Sequence, residues 1–258
     1  MPMHAPDFSL SGKTALITGS TQGLGFEIAR SYAASGARVI INGRSHDRVM
    51  RAVRSIGEEG GRAEPLVHDV GELAGQESIF EQLCSQTGAP DILVNNVGIR
   101  LRKSLADSTL QEMQDLIHVD VLAAMHLSRL AAQRMVRQGV AGRIVTLTSI
   151  ADRVARPGDA AYAVAKHGLA GLVKALAVEY GPRGITSNGI APGTFATESN
   201  VQLAGDPVQG PRVLGRNPLE RWAQPHEITG AAVFLASPAA SYVNGHILVV
   251  DGGFSIAF

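Results

Sequence analysis

A single cysteine, Cys84, in 258 residues rules out an intrachain disulfide. The segment around it reads as an amphipathic helix, so a buried, inert thiol is expected. Charge of one sign is also missing: Lys+Arg and Asp+Glu both number 23, and the formal net charge is zero. Without a basic surplus nothing points to nucleic acid, and without a polybasic run nothing points to a membrane surface. The longest apolar runs fall far short of a bilayer crossing. The opening Met1-Pro2-Met3-His4-Ala5-Pro6-Asp7 lacks the charged-then-apolar pattern of a signal peptide. No His, Cys and Asp residues cluster at ligand spacing, so no metal is expected. No Pro/Ser-rich linker, repeat or low-complexity tract divides the chain. The expectation is a soluble, cytoplasmic protein of one domain, 1–258, for which a hydrophobic content of 45% is ample.

What the chain does have is alternation. Lys13–Thr18, Arg38–Asn42, Ala63–His68, Asp91–Asn95, Arg143–Thr148, Ile185–Ile190 and His246–Val250 read as strands. Several are almost continuously apolar, as strands covered on both faces should be. Helical segments are predicted over Phe26–Ala34 and near 47–59, 72–87, 109–138, 160–180 and 225–236. Repeated βα units imply an α/β fold of Rossmann type, a doubly wound parallel sheet with helices on both faces. The stretch 194–218 is irregular and rich in Gly and Pro. It follows Pro192-Gly193 at a strand end, beside the crevice such sheets use for ligands, and reads as a substrate lid.

Two local patterns carry chemistry. The run Thr18-Gly19-Ser20-Thr21-Gln22-Gly23-Leu24-Gly25 joins a buried strand to a helix. Its glycines let backbone approach a pyrophosphate, and the helix offers free N–H groups and the positive end of its dipole. By itself the motif can also be an ordinary glycine-rich turn. Tyr162 and Lys166 stand four residues apart, one turn apart on a helix face. An ammonium beside a phenol favours the phenolate, so the tyrosine can exchange a proton near neutral pH. Ser149, at the end of an apolar run, can hold the same substrate oxygen. An isolated Tyr-x3-Lys commonly decorates a helix; the weight here comes from its company. The end of the second strand, Asn42-Gly43-Arg44, has no carboxylate before Asp47. Arg44 can pair a 2′-phosphate that an acidic residue would repel, Gly43 leaves room and Asn42 can orient the ribose. NADP(H) is therefore expected over NAD(H). The alternative for Arg44 is a solvated residue leading into a helix.

The Thr18-Gly19-x3-Gly23-x-Gly25 loop, Asn95-Asn96-Val97-Gly98, Ser149, Tyr162-x3-Lys166 and Pro192-Gly193 come in the order and spacing of one family. From about Leu10 to Phe258 the chain resembles the short-chain dehydrogenases/reductases. The resemblance implies a cofactor half over about 10–140 and a catalytic and substrate half over about 141–258. It assigns Tyr162 as the general acid or base, Lys166 as its partner and a ribose contact, and Ser149 as the residue orienting the substrate oxygen. Asp69 and Val70 would face the adenine, although Asp69 also suits a helix cap. Asn96 and Gly98 would line the adenine-ribose side. Ile190 and Thr197, around the cofactor-contacting Pro192 and Gly193, would face the nicotinamide, with a cap again the alternative for Thr197. Three positions depart from the pattern. Val97 replaces an alanine, and Gln22 stands where relatives preferring NADP often carry a basic residue. Asp120 replaces the asparagine that fixes a relay water; a carboxylate can hold that water or pair directly with Lys166. Within the family the chain resembles the gluconate 5-dehydrogenases, on Ile41-Asn42-Gly43-Arg44, Ala155-Arg156-Pro157-Gly158 and Ala191-Pro192-Gly193-Thr194-Phe195-Ala196-Thr197-Glu198 among others. A sugar acid would want a cation at the pocket; Arg100 and Arg102 after the fourth strand and Arg153 and Arg156 after Ser149 are the candidates, with a surface or interface role the alternative for each, and Arg100 and Arg153 are preferred. The alternatives are a 3-oxoacyl-(acyl-carrier-protein) reductase and, in another class, a nucleotide-binding regulator with impaired catalysis. The family commonly assembles as homotetramers.

Overall fold

The computed structural model describes residues 5–215 and 217–257. Within them, β1 (Thr14–Ile17), β2 (Arg38–Gly43), β3 (Arg62–Val67), β4 (Ile92–Asn95), β5 (Arg143–Leu147), β6 (Thr186–Pro192) and β7 (Ile247–Val250) form one sheet in the order β3-β2-β1-β4-β5-β6-β7. Every neighbouring pair is parallel. The strand order reverses between β1 and β4, which opens a crevice at their C-terminal ends.

The apolar runs are continuous because successive residues serve opposite faces. Ile17, Val39, Ile41, Val94 and Val145 join one core cluster with Ile28, Tyr32 and Leu235. Leu16, Ile40, Leu93 and Ile144 join the other with Phe80, Leu127 and Met135. Helices α1 (Gly23–Ala34), α2 (His46–Glu58) and α9 (Thr229–Ala236) cover the first face. Helices α3 (Leu73–Thr87), α5 (Ala123–Gln138) and α6 (Ala160–Tyr180) cover the second. The Tyr32 hydroxyl donates to Ala232 O at 3.0 Å, tying α1 to α9, and full burial pushes its pKa far up. β3 is the edge, so it tolerates Pro65, whose missing N–H would break an inner ladder. Cys84 lies buried in α3, where burial pushes its thiol up to about 11.

Two segments differ from expectation. The helix predicted over 109–138 is broken: α4 (Leu110–Ile117) passes through a π turn, His118–Leu122, into α5. The 194–218 stretch holds two short helices, α7 (Val201–Gly205) and α8 (Gln209–Leu214). Trp222 Nε1 donates to Gly210 O at 3.3 Å, and Ala196 N donates to Ala223 O at 2.9 Å, so this stretch is stitched to the loop after it. By composition the segment Ala160–Arg183 is long and apolar enough to cross a membrane. Leu169, Val173, Leu176 and Ala177 on it are buried, whereas Val164 and Val178 are exposed.

Candidate active site

The glycine loop leaves β1 and reaches α1 through two left-handed glycines, Gly19 (φ 61°) and Gly23 (φ 60°). Side chains are excluded for different reasons along it. A Cβ on Gly19 would lie 2.8 Å from Val97 Cγ2, and one on Gly25 would lie 2.4 Å from Asn96 Nδ2. Asn96 Nδ2 in turn donates to Thr18 O (2.9 Å) and Gly19 O (3.2 Å), locking this loop to the end of β4. A Cβ on Gly23 would instead face Glu198 and Thr197 at 3.5 and 3.8 Å, across the cleft. The loop thus brings bare backbone to the N-terminus of a 12-residue helix, where free N–H groups and the helix dipole favour an anion such as a pyrophosphate. Thr21 and Leu24 line the same cleft.

At the adenosine end the structure corrects two expectations. Asn42 is fully engaged: Nδ2 donates to Leu66 O and His68 O, and Oδ1 accepts from Gly19 N. It holds the glycine loop to β2 and β3, and its amide has no donor left for a ribose. Gly43 does not leave open room either, because a Cβ there would lie 2.7 Å from Thr21 Cγ2. Arg44 is exposed, 3.7 Å from Asp69 Oδ2, while Asp69 Oδ1 accepts from Gly71 N. Val70 is buried beside them.

At the other end, β5 runs out into Ser149, which is buried. Its Oγ accepts from Ala151 N at 3.1 Å, so its proton remains free to be donated. Tyr162 and Lys166 are on the first two turns of α6, buried, with Lys166 Nζ 5.3 Å from the Tyr162 ring centre. Asp120 Oδ2 lies 2.9 Å from that ammonium, and Asp120 Oδ1 accepts from Ile99 N at 2.7 Å. The π turn places Asp120 there: Ala123 N bonds back to His118 O, five residues earlier, and the widened turn swings the carboxylate inward. Gly98 makes the space, since a Cβ would lie 2.9 Å from Asp120 Oδ2 and 3.0 Å from Lys166 Nζ. Pro192 ends β6. Gly193 is pressed on the C-terminal turn, where a Cβ would meet Asp251 Cα at 2.7 Å. The Thr197 hydroxyl sits 3.0 Å from Ser199 Oγ and accepts from Asn200 Nδ2 at 3.3 Å.

These elements frame one cleft of about 870 Å³, walled by Gly19, Arg44 and Asp69 at one end and by Ser149, Tyr162 and Lys166 at the other. Arg100 also lines it, with its guanidinium 5.6 Å from the Tyr162 ring centre. Arg153 does not: Nη2 donates to Ile247 O and Nε lies 3.3 Å from Asp152 Oδ1, so it is turned to β7. Arg102, two residues beyond Arg100, is exposed and does not line the cleft, although it lies near Arg100. Partial burial, then the charges of Arg100 and Arg156, hold its guanidinium pKa below the usual value. His118 also reaches the cleft wall, its Nε2 2.7 Å from Gly71 O.

The family model described as enoyl-(acyl carrier protein) reductase matches residues 19–255. Gluconate 5-dehydrogenase of Gluconobacter oxydans (strain 621H) is 38% identical over 259 residues, covering 99% of this chain and 100% of that protein. The 5-keto-D-gluconate 5-reductase of Escherichia coli (strain K12) is 37% identical over 250 residues, covering 97% and 98%. Among solved structures, a gluconate 5-dehydrogenase from Burkholderia cenocepacia J2315 in complex with NADP and tartrate superposes with a TM-score of 0.93 at 37% identity, covering 98% of this chain and 99% of that one.

Proposed function

This chain belongs to the short-chain dehydrogenase/reductase family, and from that premise we propose that it is an NADP(H)-dependent oxidoreductase interconverting a secondary alcohol and a ketone on a sugar acid, gluconate and 5-ketogluconate being the pair its relatives' names indicate. The observation that carries the reading is Tyr162, flanked by Lys166 and Arg100, in a cleft that also takes in the glycine loop. NADP(H), when bound, supplies or accepts a hydride at the nicotinamide C4. Gly19, Thr21, Gly23, Leu24 and Gly25 would hold its pyrophosphate, Arg44 its 2′-phosphate, Asp69 and Val70 its adenine, and Gly193 and Thr197 its nicotinamide side.

The chain's own residues do the rest. Tyr162 gives a proton to the substrate oxygen in reduction and takes it in oxidation. Ser149 donates a hydrogen bond to the same oxygen. The Lys166 ammonium stabilises negative charge on the tyrosine oxygen. Asp120 holds Lys166 in place and carries the opposite charge. Arg100 and Arg102, neither within ion-pair reach of a carboxylate among the described residues, offer a place for the substrate's own carboxylate. The 194–218 stretch closes over the substrate as a lid. The chain works as one domain in the cytoplasm, as a homotetramer; exposed Met125, Val164 and Val178 on α5 and α6 support such an assembly. Light scattering tests it, and a stable monomer would count against it.

The alternatives have less behind them. A 3-oxoacyl-(acyl-carrier-protein) reductase makes no use of an arginine, Arg100, lying over the tyrosine ring without a carboxylate partner among the described residues. A nucleotide-binding regulator makes no use of a free Ser149 proton donor aimed into the cleft. Initial rates of NADPH and NADH oxidation with 5-ketogluconate, beside an acetoacetyl thioester, test the reading. NADPH-dependent turnover of the keto acid is expected. Turnover of the thioester alone would replace the substrate class, and tight cofactor binding with no turnover of any carbonyl would replace the enzyme.

A further inference from the structure

Arg48 stands in the first turn of α2, and its Nη1 donates to Gln22 Oε1 at 3.2 Å, in the glycine loop. The contact follows from Gly43. With no side chain there, Thr21 packs against the end of β2, and the loop is drawn towards the start of α2. Gln22 then lies under Arg48. Arg48, Arg44, Ser45 and Gln22 all line the adenosine end of the cleft. Arg48 has no carboxylate within ion-pair reach among the described residues, and its one hydrogen-bond partner is a neutral amide oxygen. Ser45, the residue capping α2, makes no side-chain cap bond, so its hydroxyl is also available. Among the described residues Arg44 is held only by a 3.7 Å contact with Asp69.

From this geometry we infer that Arg48, pinned by Gln22, is the second cation of the 2′-phosphate site and sets the preference for NADP(H) together with Arg44. The inference rests on the cofactor reading above and deepens it. A phosphate near charge −2 calls for two cations, and the glycine loop brings none because position 22 is neutral. Gln22 supplies instead an acceptor that fixes a guanidinium borrowed from α2. Planar, forked donors on Arg44 and Arg48 then face the phosphate from two sides, at a helix N-terminus whose dipole favours an anion. An acidic residue at position 43 would discriminate the other way, and Thr21 already occupies its space.

The test is calorimetric titration of the purified protein with 2′,5′-ADP and with 5′-AMP, with no substrate or turnover involved. The wild type is expected to prefer 2′,5′-ADP. Arg48→Ala should weaken 2′,5′-ADP by about 10- to 100-fold, as for a lost charge-assisted contact, and leave 5′-AMP within about twofold. Arg48→Ala combined with Gln22→Arg, which puts a cation directly on the loop, should recover the preference. A single variant that still prefers 2′,5′-ADP by the wild-type factor would overturn the role of Arg48 and leave the cofactor reading standing. Equal weakening of both ligands would overturn it too, by making Arg48 a prop for the fold. A wild type that does not distinguish the two ligands would remove the cofactor reading and this inference together.

Discussion

Asp120 Oδ2 lies 2.9 Å from Lys166 Nζ, with the two side chains 0% and 5% exposed. The approach is close but off the hydrogen-bonding direction, so the contact acts as a charge pair. Its second oxygen is committed to Ile99 N–H, which fixes the carboxylate against the segment after β4 that carries Gly98. A carboxylate here offsets part of the positive field that Lys166 would otherwise place on the tyrosine oxygen.

Asp120→Asn separates the two jobs of this residue. The amide oxygen can still accept from Ile99 N–H, so the π turn should persist. The ammonium loses its counter-charge in a buried place, and stability should fall by about 1–3 kcal/mol. With the full ammonium charge facing the phenolate, alcohol oxidation near neutral pH should hold its kcat or rise, by up to about tenfold, which is about 1.4 kcal/mol of barrier. Thermal unfolding and steady-state rates on the same preparation check both. A tenfold loss of kcat would instead make the carboxylate a required proton carrier.

Tyr162→Phe removes a hydroxyl that has no hydrogen-bond partner among the described residues, in a ring packed with Leu116 and Ala165. No neighbour is left unsatisfied, so the fold and the dissociation constant for NADP⁺ should hold. Turnover should fall by about 10²–10⁴-fold, the usual contribution of a positioned acid or base. Retained turnover with unchanged cofactor binding would move the proton chemistry to another group.

Much of this was legible in the sequence because the signals are local. The glycine loop, the Tyr-x3-Lys spacing and the strand-length apolar runs each fit within one element, and one element's periodicity reveals them. What escaped depends on where distant segments meet. Arg48 and Gln22 are 26 residues apart, and their contact depends on a missing side chain at Gly43. The π turn at Asp120 is a backbone defect inside a run with good helical periodicity. Asn42 looked like a ribose contact, but β3 and the glycine loop take all of its amide. Arg100 and Arg153 were alike on paper, and the turn after Ser149 points Arg153 at β7 while Arg100 lines the cleft.

Stability should also respond to pH through Asp152, whose side chain is 1% exposed with Arg153 Nε 3.3 Å from Oδ1. Burial raises its carboxyl pKa above the usual range, against weaker opposing effects from Thr148, Arg153, His167 and Lys174. A raised folded-state value means that the contribution to stability is fully present below the usual carboxylate range. It is lost as pH rises through the raised value, so at neutral pH the ionised group is a cost. Asp152→Asn should therefore raise Tm at about pH 7, and the gain should shrink towards about pH 4.5. An equal shift at both pH values would assign the effect to packing.

The arginines decide whether the substrate is an acid. Arg100 lies over the Tyr162 ring, and Arg102 has its pKa lowered first by desolvation and then by the nearby charges of Arg100 and Arg156. Arg156 spends its charge on Asp159, which leaves Arg100 and Arg102 for a ligand. Arg102→Met should raise KM for 5-ketogluconate by about 10- to 100-fold and change kcat little, as for a charge-assisted contact made equally in ground and transition states. Arg100→Met should raise KM similarly and also lower kcat, because it removes a cation from the face of the catalytic ring. Arg153→Ala should do neither, since its guanidinium is held by Ile247 O. An uncharged ketone of the same length separates the two roles. If its kcat/KM survives Arg102→Met, the guanidinium reads a carboxylate. If it falls as far as that of the keto acid, Arg102 shapes the pocket, and the case for a sugar acid loses its structural support.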